Sequence, residues 1–380
     1  VPLAAGRPRP SRRSVPIPDR GPPVFRRGKS VVGLDLGSQV IKAVEITLEG
    51  PEPVLTGFAR VEVPQGGSRE EALAEGFRQG RFRSKNVVTA VSGQSVVVRY
   101  VSMPKMSENE LKQAMRIEAD RYVPFELDEV MLDCQPLKRA GQRGTDGETK
   151  SEDQMSVLLV ACRMQTLEEQ VHWVLAEGLK PMAIDVDVFA LANAWELCGL
   201  PDEEIAGDLD GEQPTEERAT ALVDVGAVRT SINVLSRGET CFSREIGIGG
   251  HDMTQAVARR LGVELFEAEA IKRNPEDNEQ DVTRAIAPVL EDLTSEISLS
   301  LDYVEHHEGL RVEEILLSGG GVLAPGAQSY IEQATARATR TWNPLEGLRI
   351  AVERVDVEEI EAWAPSLVVA VGLASRVRAA

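Results

Sequence analysis

Val31-Val32-Gly33-Leu34-Asp35-Leu36-Gly37-Ser38 is an apolar run that ends in Asp-x-Gly, and Ala221-Leu222-Val223-Asp224-Val225-Gly226-Ala227 repeats the pattern. Each copy is followed by a second β-rich run, Val40 to Thr47 and Thr230 to Leu235. The pattern reads as strand, tight turn, strand. Glycine lets the turn backbone approach a ligand closely, and successive turn amides form an anion nest. The aspartate adds a carboxylate suited to a hydrated divalent cation. One Asp-x-Gly by itself is an ordinary hairpin turn. Two copies in matching strand context, 189 positions apart, indicate an internal repeat with one copy per domain. Facing each other, the two turns would clamp the phosphates of one nucleotide. A Rossmann or Walker loop does not fit, because a strand rather than a helix follows each glycine turn.

A third stretch, Val312 to Gly321, is a strand that runs into Gly319, Gly320 and Gly321. Side chains there would keep a flat ring off the backbone; the competing reading is a turn before a helix. Together the three stretches are the parts of an actin-like ATPase fold, an α/β architecture with two ribonuclease-H-like lobes around a nucleotide cleft. Lys42 lies seven positions after Asp35, in the returning strand. A lysine in an apolar strand is costly unless paired, and its compact charge suits β- and γ-phosphates. The second hairpin carries Ser231 at the corresponding position, so the charge is one-sided. Arg229 and Thr230 are either phosphate contacts or surface strand residues.

Composition separates an arm from a body. The net charge is −19, yet Val1 to Lys29 carries eight Arg and Lys against Asp19 alone, leaving about −26 for the rest. So acidic a body excludes nucleic acid as a partner held by phosphate neutralisation. The proline-rich arm cannot form a core and is expected to be disordered, either as a tether or as a contact for anionic lipid or an acidic partner. It lacks the apolar segment of a secretory signal. No apolar run is long enough to span a bilayer. The four cysteines are far apart and read as thiols in a reducing compartment.

Helices are expected around Glu70 to Gln79, from Ser107 with Glu110 as a capping box, near Thr166 to Glu177, from Asp187, and over Pro365 to Arg376. Lys138 to Gln154 and the acidic Pro201 to Arg218 read as loops.

The chain resembles the PilM family of type IV pilus assembly proteins from about Ser30 to Arg376. The resemblance rests on the Gly33 to Ser38 start and on Ala90-Val91-Ser92-Gly93-Gln94-Ser95-Val96, Met103-Pro104-Lys105-Met106-Ser107, Ile117 to Phe125, Asp185 to Ala190, Glu267 to Lys272 and Trp342-Asn343-Pro344-Leu345. The basic arm at 1–29 lies outside the resemblance, which implies subdomain 1A at 30–94 and an inserted subdomain 1C at 95–177. A crossing helix at 178–200 and an acidic linker at 201–219 come next. Subdomain 2A is expected at 220–250 and 312–364, 2B at 251–311, and the last helix of 1A at 365–380. It implies ATP and Mg²⁺ as cofactors, with Asp35 and Asp224 holding the metal through water. Gly37, Ser38, Gln39, Lys42, Gly226 and Ala227 would bind phosphates. Glu269 and Lys272 would hold the ribose, and Gly319 to Gly321 would face the adenine. Asp187 would order the attacking water.

The same resemblance implies a groove beside the inserted subdomain for the N-terminal peptide of a PilN-like membrane protein. Met103, Met106, Tyr122 and Phe125 are candidates there, or ordinary core. The expected role is a cytoplasmic adaptor at the inner membrane face, peripherally attached through its partners and linked to the pilus inner-membrane complex and motor ATPases. Two departures bear on activity. Gln39 stands where a hydroxyl residue is usual, and Ala227 and Val228 bring no hydroxyl to the second loop. Both leave backbone contacts intact, so ATP binding is expected with weak or no hydrolysis. The alternatives are an FtsA-like filament protein and a small-molecule kinase of the same fold. FtsA-like chains end in an amphipathic membrane helix, and Ser375 to Ala380 predicts none. A kinase would need a substrate base and a sugar loop, and neither is identifiable.

Overall fold

The structure is a computed structural model that describes residues 29–50, 52–64, 66–137, 153–198 and 217–378. The basic arm up to residue 28, the 199–216 stretch and most of the loop between Lys138 and Gln154 lie outside the described residues. The chain opens with β1 (Ser30–Leu36), β2 (Val40–Glu49), β3 (Glu52–Glu62), α1 (Arg69–Gly80) and β4 (Asn86–Val91). Next come β5 (Val96–Pro104), α2 (Glu108–Glu118), β6 (Val130–Pro136), β7 (Gln154–Arg163), α3 (Met164–Ala176), β8 (Lys180–Val186) and α4 (Asp187–Cys198). The second half holds β9 (Glu217–Val225), β10 (Thr230–Ser236), β11 (Glu239–Ile246), α5 (Gly250–Leu261), α6 (Leu265–Arg273) and α7 (Glu279–Glu308). It closes with β12 (Leu310–Ser318), α8 (Ala327–Thr335), β13 (Ala338–Thr341), β14 (Arg349–Ile350), α9 (Val357–Ala362) and α10 (Val368–Ala374).

Two sheets repeat one topology. Their strand orders are β14-β3-β2-β1-β4-β8 and β11-β10-β9-β12-β13. In each, an antiparallel meander (β1 to β3, β9 to β11) continues on the other side of its first strand into two parallel strands. The repeat legible in the two Asp-x-Gly runs is therefore architectural, with one ribonuclease-H-like sheet per lobe. Strands β1 and β9 are central, which is why both read as continuous apolar runs rather than alternating ones. Val31, Val32 and Leu34, like Ala221, Leu222 and Val223, are buried.

The lobes are welded by α4 and α10. Their residues form one cluster with Leu222, Leu235 and Leu316 of the second sheet. Small residues make this possible. A Cβ on Gly372 would stand 1.8 Å from the Ala190 carbonyl oxygen, and one on Gly33 would stand 2.0 Å from that of Ala370. Helix α10 thus lies directly on β1 and against α4.

The inserted subdomain has its own sheet, β5-β7-β6, and its own core. Helix α2 starts with the expected capping box between Ser107 and Glu110 and buries Leu111 and Met115. Met103 is buried in this core and Met106, Tyr122 and Phe125 pack against it, so all four hold the subdomain together. Packing divides the 95–177 span differently from expectation. Val174 of α3 is buried with Val32, Leu34 and Val87, and Trp173 packs against them. Helix α3 is therefore the crossover between the parallel strands β4 and β8, and the insertion lies between β4 and α3. The 312–364 span is divided too, because β14 pairs with β3 of the first lobe. Strand β9 starts at Glu217, inside the expected 201–219 linker. Helices α5, α6 and α7 share one core with the second sheet, so 251–311 has no separate core of its own. Among the described residues, no helix is long and apolar enough to cross a membrane.

Candidate functional site

Register explains why the two hairpins make a site. Asp35 pairs with Lys42, and Lys42 with Arg60. In the second lobe Asp224 pairs with Ser231, and Ser231 with Glu245. Laterally paired residues share a sheet face. Each lobe thus carries one such row, and the two rows correspond in register position by position. The charges differ: Asp35, Lys42 and Arg60 line the cavity from one lobe and Asp224 and Ser231 from the other, while Glu245, next in the second row, turns to the Gly93 N–H. On the far side of Asp224, Ser318 in β12 donates its hydroxyl to Asp224 Oδ1 at 2.8 Å.

The turns are built for glycine. A Cβ on Gly37 would lie 2.4 Å from the Val40 carbonyl oxygen. The Gly226 N–H donates to the Arg229 carbonyl at 2.9 Å and closes the second turn. The carbonyls of Gly226 and Ala227 accept the N–H groups of Gly250 and His251, so this turn is stitched to the start of α5. Across the cleft, Gln39 Nε2 lies 2.8 Å from His251 Nδ1, which ties the first turn to the second lobe.

Electrostatics follow from burial. Lys42 Nζ lies 2.6 Å from Asp35 Oδ2, with side chains 16% and 12% exposed. Burial lowers the Lys42 ammonium, but the charges of Asp35, Asp224 and Asp187 outweigh it and hold its pKa above the ordinary value. Asp187 opens α4. Burial, then the charge of Asp35, pushes its pKa up to about 8, against a hydrogen bond from Ser92. Burial also raises Asp224, opposed by Lys42 and by the Ser318 hydroxyl.

Glu269 and Lys272 sit on one face of α6, 2.7 Å apart. Lys272 is buried, and its ammonium also donates to the Gly250 carbonyl at 3.0 Å and to Thr254 Oγ1 at 2.8 Å. Its three N–H bonds are thereby spent inside the protein, where they clamp α6 to α5. Glu269 also takes Arg273 Nε at 2.8 Å. Burial works to raise Glu269, yet Lys272 and these hydrogen bonds hold it below the usual carboxylate range. Gly320 and Gly321 line the same cavity as both hairpin turns, a volume of about 310 Å³ between the lobes. Gly319 does not line it. Its φ of +92° and its approach to the Val225 carbonyl oxygen make it the bend between β12 and the turn. Its N–H reaches the Pro365 carbonyl at 2.8 Å.

With this geometry, the comparisons agree. The family profile "Type IV pilus assembly protein PilM" matches residues 33–378. The chain belongs to the PilM family. A solved structure, "PilM-PilN type IV pilus biogenesis complex", matches with a TM-score of 0.76 and 29% identity over 91% of this chain and 98% of that one. Ethanolamine utilization protein EutJ of Salmonella typhimurium is 25% identical over 182 residues, 47% of this chain and 61% of that protein. EutJ of Escherichia coli (strain K12) is 25% identical over 177 residues, 45% of this chain and 59% of that protein. The match thus spans about three fifths of the length of these curated relatives. This PilM-family protein is a type IV pilus assembly protein with an actin-like α/β fold.

The cleft of this PilM-family chain also gathers residues that sequence reading passed over. Arg60 and Arg273 flank Trp363, 3.7 and 5.2 Å from its ring centre. Ser92 joins the two lobes through Arg229 Nη1 at 3.1 Å. His251, Arg69 and Trp173 also line the cavity. Of these only His251 left a signal, as the residue after Gly249-Gly250 at a helix start.

Among the described residues, no three His, Cys, Asp or Glu gather closely enough to hold a metal ion by themselves. The donor set nevertheless fits Mg²⁺, which keeps several waters and takes one or two carboxylates plus phosphate oxygens. Asp35 and Asp224 line the cavity from opposite lobes, with Lys42 between them in charge.

Proposed function

We propose that the interlobe cavity binds ATP with Mg²⁺ and that the protein is a peripheral adaptor at the cytoplasmic face of the inner membrane. The observation that carries this reading is the matched pair of Asp-x-Gly hairpins facing one cavity. Lys42 and the amides of Gly37, Ser38 and Gln39 bind the phosphates from the first lobe. The Ala227 amide binds from the second, since Gly226 is occupied in closing its turn. Asp35 and Asp224 hold the ion through water, and the ion screens the phosphate charge. Glu269, held by Lys272, takes the ribose, and Gly320 and Gly321 leave room for the base. Gln39, Ala227 and Val228 bring no hydroxyl to the phosphate turns, which supports binding with weak or no turnover.

The partner is the N-terminal tail of a PilN-like membrane protein, because the PilM–PilN complex is similar to this chain over nearly its whole described length. The pilus inner-membrane complex and motor ATPases are the wider setting. Titration of the purified protein with Mg²⁺-ATP and with the cognate tail peptide tests both halves. Binding of each is expected; calorimetry without heat from the nucleotide ends the first half, and without heat from the peptide the second.

A further inference from the structure

We propose that Arg69, seated on Trp173, recognises the terminal phosphate, so that the cavity distinguishes nucleoside triphosphates from diphosphates. The proposal rests on the nucleotide reading and refines it. Arg69 lines the cavity that also holds Gly37, Ser38, Gln39 and Lys42. Two links bring it to the first glycine turn. The Val63 N–H, just past β3, donates to the Gln39 carbonyl at 2.8 Å, so the chain leading into α1 is tied to that turn. Trp173 packs against the same apolar cluster as Leu36, the residue before Gly37. The Arg69 guanidinium lies 5.3 Å from the centre of the Trp173 ring. A planar cation on an indole face is oriented without being neutralised.

Charge then separates Arg69 from two of the other cavity arginines, and hydrogen bonding from the third. Arg60 and Arg273 share Glu62, at 3.1 and 3.0 Å. Arg229 has no ion-pair partner among the described residues, but it spends a donor on Ser92 across the cleft. Arg69 has no carboxylate within ion-pair distance among the described residues. A half-buried guanidinium without a counter-charge leaves its donors open to an anion, and its fork matches a phosphate bidentately. Lys42 already faces Asp35 beside the turns. The additional charge of a third phosphate is therefore what Arg69 is placed to meet.

The test compares Mg²⁺-ATP and Mg²⁺-ADP by calorimetry on the full chain, for the native protein, Arg69→Ala and Arg69→Lys. The native protein should prefer ATP by about tenfold or more. Arg69→Ala should weaken ATP by a similar factor, leave ADP within about twofold, and so abolish the preference; Arg69→Lys should keep part of it. Equal native affinities, or an unchanged preference in Arg69→Ala, overturn the proposal and leave the nucleotide site standing. Absence of binding by either nucleotide to the native protein overturns both. Should Arg69→Ala fail to fold, Trp173→Phe decides the matter. It should remove a change in tryptophan emission that ATP produces and ADP does not. If the native protein shows no such ATP-specific change, or Trp173→Phe retains it, the assignment of the terminal phosphate to Arg69 on Trp173 is overturned.

Discussion

Glu245 accepts the Gly93 N–H with both carboxylate oxygens, at 2.7 and 3.0 Å, across the boundary between the second lobe and the root of the inserted subdomain. Gly93 has a φ of +84°, and the Arg229 guanidinium fills the space a Cβ would need. Nearby, Tyr100 Oη in β5 lies 3.2 Å from Ser243 Oγ in β11. The Ser92-Gly93 turn leads directly into β5, so the second lobe grips the insert where it leaves the first. Replacing Glu245 with Ala should free this amide. Hydrogen exchange at residues 92–96 is expected to accelerate, with a stability loss of about 1–3 kcal/mol. Unchanged protection there would show that the grip is incidental.

The Lys42–Asp35 pair sets the phosphate site. Lys42→Ala and Asp35→Ala should each weaken a fluorescent ATP analogue, measured with Mg²⁺ present, by about tenfold or more, since the first removes the cation that meets the phosphates and the second a carboxylate proposed to hold the Mg²⁺. Native-like affinity in both variants would refute the hairpin site.

Asp187 makes stability depend on pH. Its pKa lies near 3.8 when exposed and about 8 in the folded protein. As pH rises between these values the unfolded chain releases this proton first, so the folded state loses stability across the window, and the cost is complete above about pH 8. In nucleotide-free protein, Asp187→Asn should therefore melt higher than the native chain at pH 7.5, at roughly 2–4 °C per kcal/mol, and equal it near pH 4. A melting difference independent of pH would contradict this origin.

Gly372 tests the weld between the lobes. A Val side chain there would collide with the Ala190 carbonyl, and the clash involves backbone that cannot turn away. Urea denaturation of Gly372→Val should show a loss of about 3 kcal/mol or more. Gly247, which has open space around its Cβ position, is the control: Gly247→Ala should stay within about 0.5 kcal/mol. If the two variants unfold alike, close helix packing is not what holds the seam.

Both hairpins were legible in the linear chain because each is made by residues a few positions apart. A seven-residue step across a two-strand turn places Asp35 opposite Lys42 and Asp224 opposite Ser231 whatever the rest of the chain does. The α2 cap was legible for the same reason, as Ser107 and Glu110 satisfy each other within one turn. The role of α3 was not. Its pattern suits any surface helix, and only the burial of Val174 against β1 and β4 assigns it to the first lobe. Lys272 likewise reads as one half of a helix surface pair, until Gly250 and Thr254 arrive from α5 to take its remaining donors.

The order of residues alone determined the strands, the glycine turns, the duplicated plan and the charged positions on each hairpin, because those follow from backbone sterics and short-range spacing. Tertiary structure decided what meets across the gap: Gln39 with His251, Arg229 with Ser92, and Trp363 between two arginines. These contacts depend on how two packed lobes close on each other, and no periodicity along one chain encodes that distance.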